Sequence, residues 1–268
     1  MTPTEALQDR QSEWGASRHN EYARCNYAHR LRYVEKVEPV AAAGYFMIGT
    51  LVHACLSYVA DAARVNEQAD WQDVLREAEA LFPEFVLEEA ARLLEPYFKY
   101  WGEDNAGYGG YDIVAVEQPL GSAVTRYTAT ADCILQEPSG QFVIVDTKTA
   151  SRDYQGPREE TVRDLRTRPQ FLGLSYLLAQ ELRLEYYPRV LVNLIVKSRV
   201  PKFDRLSVEF AAFEVERWRH NQTDTRIDND SKLMNFSSCA PYGPRCWAFD
   251  WCHGTQEQRE RLYRPGAK

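Results

Sequence analysis

Thr128-Ala129-Thr130-Ala131-Asp132-Cys133-Ile134-Leu135 and Gln141-Phe142-Val143-Ile144-Val145, joined through Glu137-Pro138-Ser139-Gly140 and continued by Asp146-Thr147-Lys148, decide the fold. Two runs rich in β-branched residues around a Pro/Gly turn predict a β-hairpin. Asp132 and Asp146 each stand seven positions from Ser139. Antiparallel pairing sets residues of constant index sum opposite one another, so the two carboxylates become cross-strand neighbours roughly 5 Å apart. Strand side chains repeat with period two, which puts Lys148 on the face of Asp146. Two carboxylates and an ammonium gathered in this way suit a divalent metal and a developing anion. The same residues also suit a surface hairpin carrying an ordinary ion pair.

At 268 residues, 44% of them hydrophobic, the chain has the material for a sizeable core. Met1 to Gly15 lacks the basic start and apolar run of a signal peptide, and no stretch reads as the ~20 apolar residues of a membrane span. A cytoplasmic protein with no membrane partner is the expectation. Reduced cysteines follow, which favours metal or cluster ligation over disulfides among Cys25, Cys55, Cys133, Cys239, Cys246 and Cys252. The net charge of −7 argues against a nucleic-acid partner, but its distribution weakens the objection. Residues 61–105 hold twelve acids against four bases, whereas residues 152–205 hold eleven bases against seven acids. The segment after the hairpin therefore suits an anion, or equally a solvated mixed surface.

Helical periodicity predicts helices over 16–37, 46–63 and, interrupted near Pro83 and Pro96, over 70–101. Strands follow at 111–119, 126–135 and 141–148, then a polar connection over 150–163, a helix from Pro169 to Leu182, a strand at 190–197 and a helix at 214–220. Cys239, Cys246 and Cys252 have six and five residues between them, with Pro241, Gly243 and Pro244 bending the chain. That spacing suits a cluster loop better than the close pairs of structural zinc, with zinc as the alternative. Cys55 and Cys133 fall in apolar settings and read as small core residues.

Five pieces in this order resemble the PD-(D/E)XK nucleases, and more narrowly their RecB-like iron–sulfur branch, which includes AddB-type, CRISPR-associated and phage exonucleases. Gly49-Thr50-Leu51-Val52-His53 looks like that branch's helical motif with its histidine, and Thr130-Ala131-Asp132 like its first acidic strand motif. Val145-Asp146-Thr147-Lys148-Thr149 looks like its acidic-x-lysine strand, and Gln170-Phe171-Leu172-Gly173-Leu174-Ser175-Tyr176 like its glutamine-to-tyrosine helix motif. Cys25, Cys239, Cys246 and Cys252 resemble its bipartite 4Fe–4S ligand set. Two positions depart from the pattern: Ala129 stands where glycine is common, and Leu174 where the tyrosine belongs. Tyr176, the nearest substitute, projects about 120° from Gln170.

The resemblance implies an α/β fold: a restriction-endonuclease-like mixed sheet flanked by helices, forming a single nuclease domain over 1–268. Residues 61–105 are then an acidic helical elaboration, and 236–268 an iron–sulfur tail. It implies a Mg²⁺- or Mn²⁺-dependent deoxyribonuclease, an exonuclease acting on single-stranded DNA or frayed ends. His53, Asp132, Asp146 and the Thr147 carbonyl become metal ligands, with Lys148 and Gln170 completing the catalytic set. Glu117, on the preceding strand, reads as an auxiliary acid or as a plain exposed glutamate. Lys197, Arg199 and Lys202 suit the DNA backbone or a solvated strand end. The rivals are a nuclease subunit serving a helicase, recombination or CRISPR-adaptation partner, and a non-catalytic DNA-end-binding module. No phosphate-loop motif is present, so any unwinding falls to a partner.

Overall fold

The computed structural model describes every residue except 9–13, 40–43, 103, 151–157, 225–226, 228–229, 232, 236–245 and 266–268. The chain opens with a one-turn helix α1 (Pro3–Ala6), whose capping box pairs Thr2 with Glu5. Residues predicted as one helix form two, α2 (Ala16–Arg24) and α3 (Asn26–Tyr33), because Cys25 is extended (φ −160°, ψ 111°) and serves as C-cap of one and N-cap of the other. A short strand β1 (Val37–Pro39) precedes the long helix α4 (Gly44–Arg64). Helices α5 (Trp71–Ala78) and α6 (Glu84–Trp101) follow. Pro83 is the N-cap of α6, but Pro96 does not interrupt it; Leu93, Leu94, Tyr97 and Phe98 are all buried around the proline and hold the helix together.

After a 3₁₀ turn (Asp104–Gly107) come β2 (Asp112–Gly121), β3 (Thr128–Gln136) and β4 (Phe142–Ala150). Helix α7 (Arg158–Arg166) occupies part of the stretch expected to be a polar connection, and α8 (Pro169–Leu182) begins on Pro169 as read. Then come β5 (Arg189–Val196), β6 (Lys202–Val208), which the sequence reading missed, and α9 (Ala212–Asp224). Two short helices, α10 (Phe249–His253) and α11 (Gln256–Leu262), lead into β7 (Tyr263–Pro265), which pairs antiparallel with β1.

The main sheet runs β2-β3-β4-β5-β6, with β4 and β5 parallel and the other neighbours antiparallel. One face carries Cys133, Leu135, Val143, Val145, Leu191 and Ile195 against Leu51, Val52, Leu93 and Leu94 of α4 and α6. The other carries Ile134, Ile144, Val190 and Val192 against Phe171, Leu174 and Leu177 of α8. With both faces covered, β5 reads as an almost unbroken apolar run. The acidic stretch is not an appendage: Val74, Ala78, Val86 and Ala90 complete the core over α4, leaving acids on the outer side. Contrary to expectation, one helix among the described residues, α4, is long and apolar enough over Phe46–Arg64 to span a membrane; more than half of that apolar stretch is buried inside this core. A third, smaller cluster joins the two ends of the chain through Cys25, Leu31, Val37, Cys246 and Tyr263.

Candidate active site at the opened end of the β3–β4 ladder

The hairpin turn has the expected chemistry. Gly140 adopts φ +85°, a conformation that favours glycine, and its amide donates to the Glu137 carbonyl at 2.8 Å. The ladder pairs Gln136 with Phe142 and Cys133 with Val145, so Asp132 and Asp146 occupy the next position of the same register. There the strands part. The Asp132 carboxylate takes the place of a ladder carbonyl, accepting the Thr147 amide at 2.7 Å through Oδ2.

Strand alternation breaks at this point. Cys133 and Leu135 face α4, whereas Ala131 and Ala129 face α8, although residues two apart normally share a face. On β2, Val116 pairs with Cys133 and Gln118 with Ala131, and Glu117 between them has φ +50°, strained for a non-glycine residue. With this distortion Asp132 meets both the Thr147 amide of β4 and a side chain from α4.

From α4, His53 brings Nδ1 to 3.4 Å from Asp132 Oδ2. One turn further on, Ser57 donates to Glu117 Oε1 at 2.5 Å. Gly49 allows this approach: a Cβ there would stand 3.0 Å from Thr149 Oγ1 on β4. From β4, Lys148 Nζ lies 2.8 Å from Asp146 Oδ2, and from the first turn of α8, Gln170 Nε2 donates to Asp146 Oδ1 at 2.6 Å. Asp146 is 1% exposed.

Burial, and secondly the Asp146 carboxylate, push the Asp132 carboxyl up to about 7, while Lys148 and the Thr147 amide oppose the rise. Burial alone would lower the Lys148 ammonium, but Asp146 and Asp132 outweigh it and the group is raised. Burial and the Lys148 charge lower His53, leaving a neutral imidazole at pH 7. Two buried carboxylates facing one another repel, so this donor set suits a divalent cation. Among the described residues, no three His, Cys, Asp or Glu side chains are already posed around a common metal position.

A buried network behind the site escaped the sequence reading. On β5, Asn193 Nδ2 donates to Thr147 Oγ1 at 3.3 Å and to the Tyr97 hydroxyl at 2.9 Å. Arg205 of β6 reaches Asn193 Oδ1 at 3.4 Å and the Tyr97 hydroxyl at 3.2 Å. Its guanidinium lies 3.9 Å from the ring centroid of Trp101 and 4.6 Å from that of Tyr108. The available signal was a lone asparagine in Arg189-Val190-Leu191-Val192-Asn193-Leu194-Ile195-Val196.

Other predicted residues lie elsewhere. Tyr176 is 2% exposed and packs 5.7 Å from Trp218, so the structure does not bring it to the site. Lys197 follows β5, its amide bonded to the Ala150 carbonyl at 2.6 Å, and burial lowers its ammonium. Arg199 and Lys202 belong to the β5–β6 hairpin, where Arg92 of α6 donates to the Ser198 and Arg199 carbonyls. Cys25, Cys246 and Cys252 gather in the third cluster, while Cys239 lies outside the described residues. Cys55 and Cys133 are buried in the main core.

Residues 13–253 match the family profile described as the PD-(D/E)XK nuclease superfamily. No curated protein matches the chain in sequence. Among solved structures, a candidate exonuclease from Eubacterium rectale superimposes with a TM-score of 0.56 at 11% identity, covering 90% of this chain and 93% of that one. A second, SSO0001, reaches a TM-score of 0.28 at 15% identity, covering 66% of this chain and 84% of that one, and carries no argument. At such identities the first likeness concerns the fold. The profile match spans most of the chain, and the five-stranded mixed sheet with its flanking helices fits the core of these metal-dependent hydrolases: the chain belongs to the PD-(D/E)XK nuclease superfamily.

Proposed function

We propose that this chain is a divalent-metal-dependent deoxyribonuclease of the RecB-like iron–sulfur kind, an exonuclease acting on single-stranded or frayed DNA ends. The observation that carries this reading is the convergence of Asp132, Asp146, Lys148, His53 and Gln170 where β3 and β4 part. Asp132, Asp146, His53 and the Thr147 carbonyl are the groups that would hold Mg²⁺ or Mn²⁺. A cation bound there supplies charge that polarises the phosphate and acidifies a water. Lys148, compact and held cationic by two carboxylates, stabilises negative charge on the scissile phosphate. Gln170, at the mouth of α8, orients the attacking water or a phosphate oxygen.

The cysteine-bearing ends support the iron–sulfur part. Cys25, Cys246 and Cys252 come from opposite ends of the chain into one small core, and thiolates in a reducing compartment suit a 4Fe–4S cluster with Cys239 as fourth ligand. A cluster there clips both termini over the nuclease core.

One observation favours a non-catalytic DNA-end binder: both oxygens of Asp146 already face protein cations or donors. Digestion of end-labelled single- and double-stranded DNA with Mg²⁺ or Mn²⁺, beside the Lys148→Ala protein, separates the readings. The expected result is metal-dependent shortening from an end, slowed at least about 100-fold by the substitution. DNA binding without cleavage in either metal decides for the binder, and undiminished cleavage by Lys148→Ala refutes the assigned chemistry.

A further inference from the structure

The two faces of the sheet bring different surfaces to the same end of β4. On one face, α4 starts at Gly44 and passes over Thr149 at Gly49. Phe46 lies two turns before His53, on nearly the same stripe of the helix and roughly 10 Å along it. Its side chain is 63% exposed, among the most exposed large apolar groups in the molecule. On the other face, Arg168 is the N-cap of α8, two residues before the glutamine that reaches Asp146. Arg168 is exposed, and its charge is felt at Lys148.

Several other arginines are committed. Arg158 pairs with Asp204, Arg166 with Glu214, Arg189 with Glu137 and Arg92 with Glu89. Among the described residues, no carboxylate pairs with Arg168. An exposed guanidinium at the start of α8 and an exposed ring at the start of α4, each near the end of β4 that carries Asp146 and Lys148, match the two chemical faces of one nucleotide strand. A base face is available for stacking only when the base is unpaired, and a planar guanidinium grips phosphate oxygens two at a time.

We propose that the starts of α4 and α8 form a single-strand groove, in which Phe46 stacks an unpaired base and Arg168 grips the phosphate of the same strand beside the scissile bond. This inference rests on the nuclease reading and deepens it, since it makes strand choice a property of the site itself. Paired bases, apart from an end pair, cannot offer the face that Phe46 needs. The groove therefore selects single strands and frayed ends.

The test is fluorescence anisotropy of the full chain without added divalent metal, using three labelled probes: dT₁₂, an abasic 12-mer with the same phosphates, and a blunt hairpin duplex. Phe46→Ala is expected to weaken dT₁₂ about tenfold, to leave the abasic strand unchanged and to weaken the duplex less than dT₁₂, with Phe46→Trp restoring affinity. Arg168→Ala is expected to weaken dT₁₂ and the abasic strand alike and to lower the salt slope by about 0.7, the loss of one phosphate contact. Equal losses by Phe46→Ala on all three probes, or no loss on any, overturn the stacking wall. An unchanged salt slope for Arg168→Ala overturns the phosphate grip. If wild-type protein binds and cleaves normally while both variants match it, the groove fails and the nuclease reading stands. If wild-type protein neither binds nor cleaves any DNA, the nuclease reading fails first.

Discussion

Replacing Asn193 by leucine keeps the γ-branched shape of a fully buried side chain, adds some bulk and removes its hydrogen bonds. Three partners lose their contact: the Tyr97 hydroxyl at 2.9 Å, Thr147 Oγ1 at 3.3 Å and the Arg205 guanidinium at 3.4 Å. Arg205 keeps the Gly107 carbonyl at 2.7 Å and the Tyr97 hydroxyl, and its aromatic neighbours, so the cation is not stranded. At about 1 kcal/mol for each neutral bond, and more for the bond to a cation, the expected loss is about 3 kcal/mol. For a urea slope of 1–3 kcal/mol per molar, the midpoint should fall by roughly 1–3 M with the slope unchanged. Cleavage should fall further than stability predicts, because Thr147 is tied to Asn193 by its hydroxyl and to Asp132 by its amide. A double-mutant cycle with Thr147→Val isolates that link, with an expected coupling of about 0.5–1 kcal/mol in stability and a matching coupling in log rate. A loss below 1 kcal/mol, or additive effects on rate, would refute the view that this network supports the site.

Asp146→Asn removes ligand charge and little volume; end-labelled digestion should show cleavage abolished, while anisotropy shows DNA affinity within about threefold of wild type. Anaerobically purified protein should be brown, with iron and acid-labile sulfide in near-equal amounts, and Cys246→Ala should lose both; a colourless protein with stoichiometric zinc would decide for the other metal. His29 is wholly buried, accepts from Arg18 Nε at 3.2 Å, and is held down to about 4 by burial and by Arg18. Its folded pKa lies below the unfolded value of about 6.5, so the protein should lose stability, of order 2–3 kcal/mol, as pH falls from 6.5 to about 4. Melting temperatures of wild-type and His29→Gln protein should differ by a constant amount above pH 6.5, and wild type should fall relative to the variant as pH drops from 6.5 to about 4; a difference unchanged across that window would show that His29 does not titrate as stated.

The hairpin was legible because turn chemistry and register reinforce one another. A Pro/Gly turn fixes the centre, and each residue's distance from that centre then gives its partner, so the Asp132–Asp146 relation needed no tertiary information. Helix α8 was legible for a similar reason, since Pro169 fits a first turn and an apolar run follows. Strand β6 was not, because Lys202-Phe203-Asp204-Arg205 reads as polar until Arg205 is placed between Trp101 and Tyr108, two rings far away in sequence. The split at Cys25 was hidden for the opposite reason. Its local sequence is helical on both sides, and the extended residue belongs with the packing of the two chain ends against one another. Tyr176 shows how far a helical wheel carries: it separated the ring from Gln170 but could not show that Trp218 waits on the other side.

The opening of the ladder at Asp132 is the part of the site that sequence reading could least supply. Perfect pairing would have placed Asp132 and Asp146 side by side on one face, and His53, on the opposite face with α4, would have been screened from them by the sheet. The structure resolves this by breaking the alternation of β3 and placing Glu117 in a strained backbone conformation. Strain of order 1–3 kcal/mol at such a residue persists only where its surroundings hold it, and here Ser57 binds the Glu117 carboxylate from the same helix that carries His53. One local distortion therefore admits a group from each side of the sheet to a single pair of acids. The same distortion explains why the first strand motif carries its aspartate after small residues: Ala129 and Ala131 leave room on the α8 side where the strand has turned over.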